Sequence, residues 1–220
     1  MTPFQRLWYP VAHGATYALF WLLGGFRVYG LENLPRTGPF LLAANHLSVT
    51  DPLAIQGASP RKFQWMTARE LLDIPWLRPI ILFLGAFPVS RDGMDPGAMA
   101  TARSWLRKGE GVVIFPEGRI TADGSLQKLH PGLAVLALRE EVPVLPVIIR
   151  GTDKMHPIGA WLPRPAPKSV TFGKLLHLGG VQSGIPVRQQ VQEALQRIRQ
   201  ALLQTGAVPG LEDRPVLRVD

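Results

Sequence analysis

Residues 40–52 read Phe40-Leu41-Leu42-Ala43-Ala44-Asn45-His46-Leu47-Ser48-Val49-Thr50-Asp51-Pro52. The apolar run Phe40 to Ala44, preceded by Gly38 and Pro39, predicts a short strand. Asp51-Pro52 predicts a helix start, with Asp51 as N-cap and Pro52 at the first helical position. Strand, loop, helix is the repeating unit of open α/β sheets, and such folds build their sites at the carboxyl ends of strands. His46 follows the strand directly, and Asp51 stands five positions on. A His titrating near neutrality takes a proton from a hydroxyl, and a carboxylate on its other ring nitrogen fixes the tautomer and stabilises the imidazolium. A plain capped loop is an equally good use of the same residues, and one carboxylate has oxygens enough for both.

Working outward, the same alternation recurs. Strands are expected at Phe26–Tyr29, Phe63–Thr67, Phe87–Val89, Gly111–Phe115 and Val144–Ile149, with late strand material at Val170–Phe172 and Leu175–Leu178. Helices are expected over Pro75–Leu84, over Pro96–Lys108 (closed by Gly109) and over Pro131–Glu140. A last helix, Pro186–Leu203, carries Val187, Val191, Leu195, Ile198 and Leu202 at spacings of three and four. The predicted fold is α/β: a mixed, mostly parallel sheet flanked by helices on both faces. The expected division is an N-terminal segment 1–26, an α/β domain 27–205 and a loose tail 206–220 without periodicity.

The chain of 220 residues carries 24 Lys and Arg against 16 Asp and Glu, a formal net charge of +8. Yet 46% of its residues are hydrophobic, which excludes a disordered basic tail protein. There is no series of long apolar spans, which argues against a polytopic transporter. There is no Cys, so disulfides, thiolate nucleophiles and Cys-ligated metals are excluded. The positive charge points to a polyanion: nucleic acid, an anionic membrane or a phosphorylated substrate. No aromatic-basic RNA signature and no zinc spacing speak for nucleic acid.

The first 26 residues stand apart. Arg6 is their one Lys or Arg, they hold no Asp or Glu, and Trp8, Tyr9, Tyr17 and Trp21 are spread through them. As a helix, Phe4 to Phe26 would extend about 35 Å, but Pro10, His13, Gly14 and Thr16 break its apolar run. Interleaved Trp and Tyr suit a membrane interface, so the segment is expected to be an interfacial or shallowly inserted anchor rather than a helix buried on the domain's own core.

Three further stretches carry chemistry. Gly85-Ala86-Phe87-Pro88-Val89-Ser90-Arg91 places a forked cationic donor just past a strand, suited to a phosphate or to solvent alike. Phe115-Pro116-Glu117-Gly118-Arg119-Ile120-Thr121 ends a buried strand in a turn, where Glu117 would accept from a substrate hydroxyl and Arg119 would meet an anion, or the two would form a local ion pair. Downstream, Lys128 is a candidate addition to a phosphate pocket. Val142-Pro143-Val144-Leu145-Pro146-Val147 reads as a buried strand whose prolines limit its ladder.

In this order the four stretches resemble the glycerolipid acyltransferase family, whose bacterial members include the PlsC-type 1-acyl-sn-glycerol-3-phosphate acyltransferases. Asn45, His46 and Asp51 match its Asn-His-x-x-x-x-Asp block. Gly85 and Arg91 match the second block, Phe115 to Gly118 the third, and Val142, Pro143, Pro146 and Val147 the fourth. Each block is weak alone, and the ordered set is strong. One departure stands out: where the family commonly continues Thr-Arg-Ser after the third block's Gly, this chain reads Arg119-Ile120-Thr121. That run is similar to the branch that acylates lysophosphatidylethanolamine, which bears on the head group and leaves the chemistry intact.

The resemblance implies an O-acyltransferase that moves an acyl group from an acyl-CoA or acyl carrier protein thioester to the sn-2 hydroxyl of 1-acyl-sn-glycerol-3-phosphate. His46 would be the base and Asp51 its orienting partner. Asn45, Arg91, Glu117, Gly118, Arg119 and Lys128 are the candidate substrate-binding set, Arg119 and Lys128 being added from charge alone. Oxyanion donors are expected among backbone N–H groups of the loop after the strand, with Asn45 as a further donor. Ser48 lacks the context of a strained nucleophile elbow, so direct transfer is expected. No metal and no permanently bound cofactor are implied. The implied partners are an anionic membrane, the lysophospholipid acceptor and the thioester carrier, with no nucleic acid. The implied location is membrane-associated, on the cytoplasmic face of the inner membrane in a bacterium. Another lysophospholipid or an amino lipid as acceptor, or a hydrolase using the same pair on water, are the alternatives.

Overall fold

The computed structural model describes residues 3–75, 78–89, 95–121 and 124–207. In chain order the elements begin with α1 (Pro3–Leu22), β1 (Phe26–Tyr29), β2 (Phe40–Ala44), α2 (Asp51–Ala58) and β3 (Phe63–Ala68). They continue with α3 (Arg78–Phe83), β4 (Ala86–Val89), α4 (Pro96–Arg107), β5 (Gly111–Ile114) and α5 (Gly132–Glu140). The last are β6 (Val144–Arg150), α6 (Thr152–Met155), β7 (Lys168–Phe172) and α7 (Val187–Gly206). Short 3-10 turns occupy Leu31–Asn33 and Arg69–Asp73.

The strands form one sheet in the order β1-β7-β6-β2-β5-β3-β4. Every pairing is parallel except β6 with β7, so β1 and β7 run against the other five. The expected mixed, mostly parallel sheet is what forms. Strand alternation sorts β2 between two cores. Leu41 and Ala43 face a core closed by α4, α5 and α7, while Phe40, Leu42 and Ala44 face a second core closed by α1 and α2. Burial on both faces explains why β2 and β5 read as unbroken apolar runs.

Local rules account for the entry to α4 and the turn before β4. Asp95 caps α4, its Oδ1 accepting from Gly97 N at 2.8 Å and Ala98 N at 3.0 Å, and Pro96 takes the first turn. Gly85, at φ +93°, has no room for a side chain, because a Cβ there would lie 2.7 Å from the Phe63 carbonyl oxygen.

Several expectations are corrected. Asp51 is not the N-cap of α2: Thr50 holds that position, and Asp51 is the first helical residue, its carboxylate turned back over the preceding loop. Leu175–Leu178 forms no strand; Leu176 makes a single antiparallel bridge to Val144. The cause is Pro146, which has no N–H to donate, so the β6–β7 ladder stops at Val147 and Phe172. The helix expected over Pro75–Leu84 is shorter, Arg78–Phe83, and Val187 lies exposed at the start of α7.

Helix α1 packs on α2 with an unusual face. The side it turns inward carries Tyr9, His13, Thr16 and Phe20. The Tyr9 hydroxyl donates to the Arg61 carbonyl at 2.8 Å and accepts from the Gln56 amide, and His13 Nδ1 lies 3.1 Å from the Gln56 carbonyl oxygen. Burial pushes the Tyr9 phenol upward from its ordinary pKa. The side turned outward carries Trp8, Val11, Tyr17, Leu19, Trp21 and Leu22, all exposed. The C-terminus of α1 is held by the buried Lys168, whose ammonium reaches the carbonyls of Phe20 at 2.7 Å, Leu23 at 2.9 Å, Gly25 at 3.2 Å and Ala166 at 2.9 Å. Among the described residues no helix is long and apolar enough to cross a membrane.

Candidate active site

Strand order brings three of the four sequence blocks side by side. β6, β2 and β5 are neighbours and parallel, so Arg150, Asn45 and Phe115 leave the sheet together at its carboxyl edge. The second block arrives on the same edge two strands further out, through β4. That is a separation of roughly 10 Å from β5 at the usual interstrand spacing. Gly85 is described above; Arg91 lies outside the described residues.

His46 and Asp51 form the centre. His46 Nδ1 is 2.8 Å from Asp51 Oδ2. A carboxylate only accepts, so Nδ1 carries the proton and Nε2 keeps a free lone pair. The same Oδ2 accepts from the N–H groups of Leu47 at 2.6 Å and Ser48 at 2.9 Å. Asp51 is fully buried and its Oδ1 has no hydrogen-bond partner. The His46 ring stacks on Phe115 with centroids 4.1 Å apart and 17° between planes. Two ring constraints, one hydrogen bond and one stack, fix where Nε2 points.

Glu117 is buried, with 3% of its surface exposed. Its Oε1 accepts from His46 N at 3.2 Å, and its Oε2 accepts from Gln127 N at 2.9 Å and Thr121 Oγ1 at 3.1 Å. Thr121 N in turn donates to the His46 carbonyl at 2.8 Å. The backbone of His46 is thus pinned on both its N–H and its C=O by the turn after β5. Burial pushes the Glu117 carboxyl above its ordinary pKa, and the bonds from Gln127, Thr121 and His46 offset part of that rise.

The other candidates divide. Asn45 is buried, and both ends of its amide are taken by Ile149 of β6: Nδ2 donates to the Ile149 carbonyl at 3.0 Å and Oδ1 accepts from Ile149 N at 2.8 Å. Its amide therefore joins β2 to β6 and does not face a substrate. The expected oxyanion donors meet the same difficulty, since the N–H groups of His46, Leu47 and Ser48 are each engaged by a carboxylate. Gly118 is exposed at φ +67°, where a Cβ would lie 3.1 Å from the His130 ring. Arg119 is exposed and donates to Gln127 Oε1 at 3.2 Å, and Lys128 is exposed on the same connection. Ser48 is buried, its hydroxyl donating to the His156 carbonyl at 2.9 Å. Sequence reasoning passed over Phe115 as a ring platform and Thr121 and Gln127 as partners of Glu117. Thr121 recurs four residues after Glu117, a spacing that hints at a local bond, but Gln127 gives no such signal. Among the described residues no group of three or more His, Cys, Asp or Glu gathers as a metal site.

The profile of the family described as Acyltransferase matches residues 25–150, which contain the His46–Asp51 pair and the Glu117 contacts that hold it. A 1-acyl-sn-glycerol-3-phosphate acyltransferase of Bacillus subtilis is 29% identical over 157 residues, 71% of this chain and 76% of that protein. One from Borreliella burgdorferi is 28% identical over 136 residues, 60% of this chain and 54% of that protein. The crystal structure of the 1-acyl-sn-glycerophosphate acyltransferase PlsC from Thermotoga maritima superposes with a TM-score of 0.71 at 26% identity, covering 96% of this chain and 82% of that one.

Proposed function

Since this chain belongs to the acyltransferase family, we propose that it moves a fatty acyl group from a thioester donor to the sn-2 hydroxyl of 1-acyl-sn-glycerol-3-phosphate, giving phosphatidic acid for phospholipid synthesis. The observation that carries the chemistry is the His46–Asp51 pair at 2.8 Å, with Nε2 left free by the tautomer Asp51 imposes. His46 Nε2 takes the proton of the acceptor hydroxyl as its oxygen attacks the thioester carbonyl. The tetrahedral intermediate collapses by breaking the C–S bond. The imidazolium, stabilised by Asp51, returns its proton to the departing thiolate, so the products are an ester and a free thiol. The names of the relatives support lysophosphatidic acid as the acceptor. Acyl-CoA or acyl carrier protein is the proposed donor.

Glu117 acts by holding His46. Gly118, Arg119, Lys128 and Arg91 are the proposed glycerol phosphate contacts. The Glu117-Gly118-Arg119-Ile120-Thr121 run keeps lysophosphatidylethanolamine as the second acceptor to test.

Residues 1–26 are the proposed membrane seat, 27–205 the catalytic domain and 206–220 a tail. Support for the seat is the inversion in α1, which turns Tyr9, His13 and Thr16 inward and leaves Trp8, Leu19, Trp21 and Leu22 exposed. An enzyme seated this way, on the cytoplasmic face in a bacterium, draws its acceptor sideways from the leaflet without taking the acyl chain through water, which would cost about 0.8 kcal/mol per methylene. The test is a purified-enzyme panel of lysophosphatidic acid, lysophosphatidylethanolamine and water as acyl acceptors with acyl-CoA and acyl carrier protein donors. Activity on lysophosphatidic acid that vanishes in His46→Ala is expected. Exclusive acylation of another head group, or release of free fatty acid alone, overturns the reading.

A further inference from the structure

The connection from β6 to β7 leaves the sheet at the edge that carries His46. After α6 it runs His156-Pro157-Ile158-Gly159-Ala160-Trp161-Leu162-Pro163-Arg164-Pro165. Trp161 is 94% exposed, Leu162 69% and Ile158 65%. Three large apolar side chains within five residues therefore face water, a clustering of the kind that marks interaction surfaces.

The tip is presented by a fixed frame. Ala160 N donates to the Pro157 carbonyl at 3.0 Å and Arg164 N to the Met155 carbonyl at 2.8 Å, closing the base of the loop. Pro157, Pro163, Pro165 and Pro167 restrict the backbone on both sides. The frame is joined to two parts of the molecule already described. Ser48 of the catalytic loop donates to the His156 carbonyl at 2.9 Å. Ala166 N donates to the Leu23 carbonyl at 2.8 Å, which ties the far end of the loop to the C-terminus of α1, beside the exposed Trp21 and Leu22.

The charged residues that follow Asp153 along this connection are all basic. Exposed Lys154 and Arg164 flank the tip, and after Asp153 no Asp or Glu occurs until Glu193. Trp at the tip with Lys and Arg at its shoulders is the arrangement that seats a ring at lipid headgroup depth while the cations meet anionic phosphates. We propose that Ile158–Leu162 is a second membrane contact, with an anionic phospholipid bilayer as its partner, placed at the catalytic edge and continuous with the exposed end of α1. The proposal rests on the reading of α1 as a membrane seat. Its consequence is orientation: one helix alone lets the domain roll about its axis, and a second contact tied to the His46 loop fixes the site toward the leaflet. Once α1 is bound, the second contact is intramolecular and gains from the raised local concentration.

The absence of Cys makes the test direct. Trp161→Cys, Trp21→Cys and Gln192→Cys, the last exposed on α7 across the sheet, each carry one bimane label. The labelled proteins are mixed with vesicles of phosphatidylglycerol and phosphatidylcholine, with and without a spin-labelled lipid quencher. Blue shift and quenching at 161 and 21, with none at 192, are expected, together with a weaker response at 161 on pure phosphatidylcholine. A label at 161 that stays in water while that at 21 inserts overturns this proposal and leaves the seat on α1 standing. No insertion at either overturns both. A shift at 161 that grows with protein concentration without vesicles assigns the tip to a second copy of the chain and also overturns the proposal. Independently, the double substitution Trp161→Ala, Leu162→Ser is expected to weaken vesicle partitioning roughly tenfold while turnover on detergent-dispersed acceptor is retained; unchanged partitioning overturns it.

Discussion

Glu117 Oε1 lies 3.2 Å from the backbone nitrogen of His46, across 71 residues of sequence. With the bond from Thr121 N to the His46 carbonyl, this makes the turn after β5 a clamp on the proposed base. Glu117→Gln keeps the shape but has only one oxygen, so its NH₂ must face either the His46 or the Gln127 N–H. A loss of about 1–3 kcal/mol is expected in chemical denaturation. Turnover is expected to fall about tenfold or more while KM for the acceptor moves less. A KM increase with unchanged turnover would return Glu117 to direct substrate contact.

The same carboxyl sets a pH dependence. Burial raises its pKa in the folded state, so the native protein binds this proton more tightly than the unfolded chain does. Its contribution to stability is then full below the ordinary carboxylate range and is lost as pH rises through the raised value. Gln does not titrate. Denaturation midpoints of wild type and Glu117→Gln are therefore expected to converge as pH rises above the ordinary carboxylate range. A gap that widens with pH would contradict the assigned direction.

Asp51 Oδ2 receives three donors, His46 Nδ1–H and the N–H groups of Leu47 and Ser48, while Oδ1 is buried without a partner. Asp51→Asn can place its oxygen at the Oδ2 position and keep all three bonds. The tautomer then survives and only the charge is lost. Turnover is expected to fall roughly 10²–10⁴-fold with the thermal midpoint little changed. Asp51→Ala strands the three donors and is expected to lower both. Equal stability of the two variants would contradict the role given to this carboxylate in holding the loop N–H groups of Leu47 and Ser48.

Legibility followed the range of the interactions. β2, β5 and β6 were readable because burial on both faces makes their sequences continuously apolar and Pro or Gly marks their ends. The His46–Asp51 contact was readable because five residues suffice for a loop to fold back. Asp51 as N-cap was misread, because Asp-Pro is compatible with two adjacent helix positions and only the loop's N–H groups decide between them. Asn45 read as a free polar group because its partner, Ile149, lies 104 residues away. Leu175–Leu178 has strand composition, but whether it pairs depends on the N–H that Pro146 lacks. The proposed acceptor grip is the least legible part, because Gly118, Arg119 and Lys128 are exposed and a solvated turn has the same composition as a ligand contact.

Lys168 is where the proposed membrane seat and the catalytic domain are joined. Its ammonium has three protons for four carbonyl oxygens, three of them at the end of α1, where a cation also opposes the helix dipole. Lys168→Met is expected to cost about 1.5–3 kcal/mol and to speed proteolysis between residues 23 and 26. The pure domain chemistry, assayed with detergent-dispersed acceptor, is expected to survive. An unchanged denaturation midpoint and cleavage rate would show that α1 is held by its packing on α2 alone.

Ser48 tests the order of bond making. A serine nucleophile would need its hydroxyl free and close to a base. Here the hydroxyl is buried and committed to the His156 carbonyl at 2.9 Å, while accepting from Thr50 Oγ1 at 3.1 Å. His46 meanwhile turns Nδ1 to Asp51 and leaves Nε2 for a substrate. Direct attack by the acceptor hydroxyl therefore predicts that Ser48→Ala retains turnover within about tenfold, the loss reflecting a loosened tie between the catalytic loop and His156. Mass spectrometry of wild type incubated with thioester alone is expected to find no acyl adduct. A stoichiometric adduct on Ser48, together with a drop of about a thousandfold or more in Ser48→Ala, would replace direct transfer by an acyl-enzyme route.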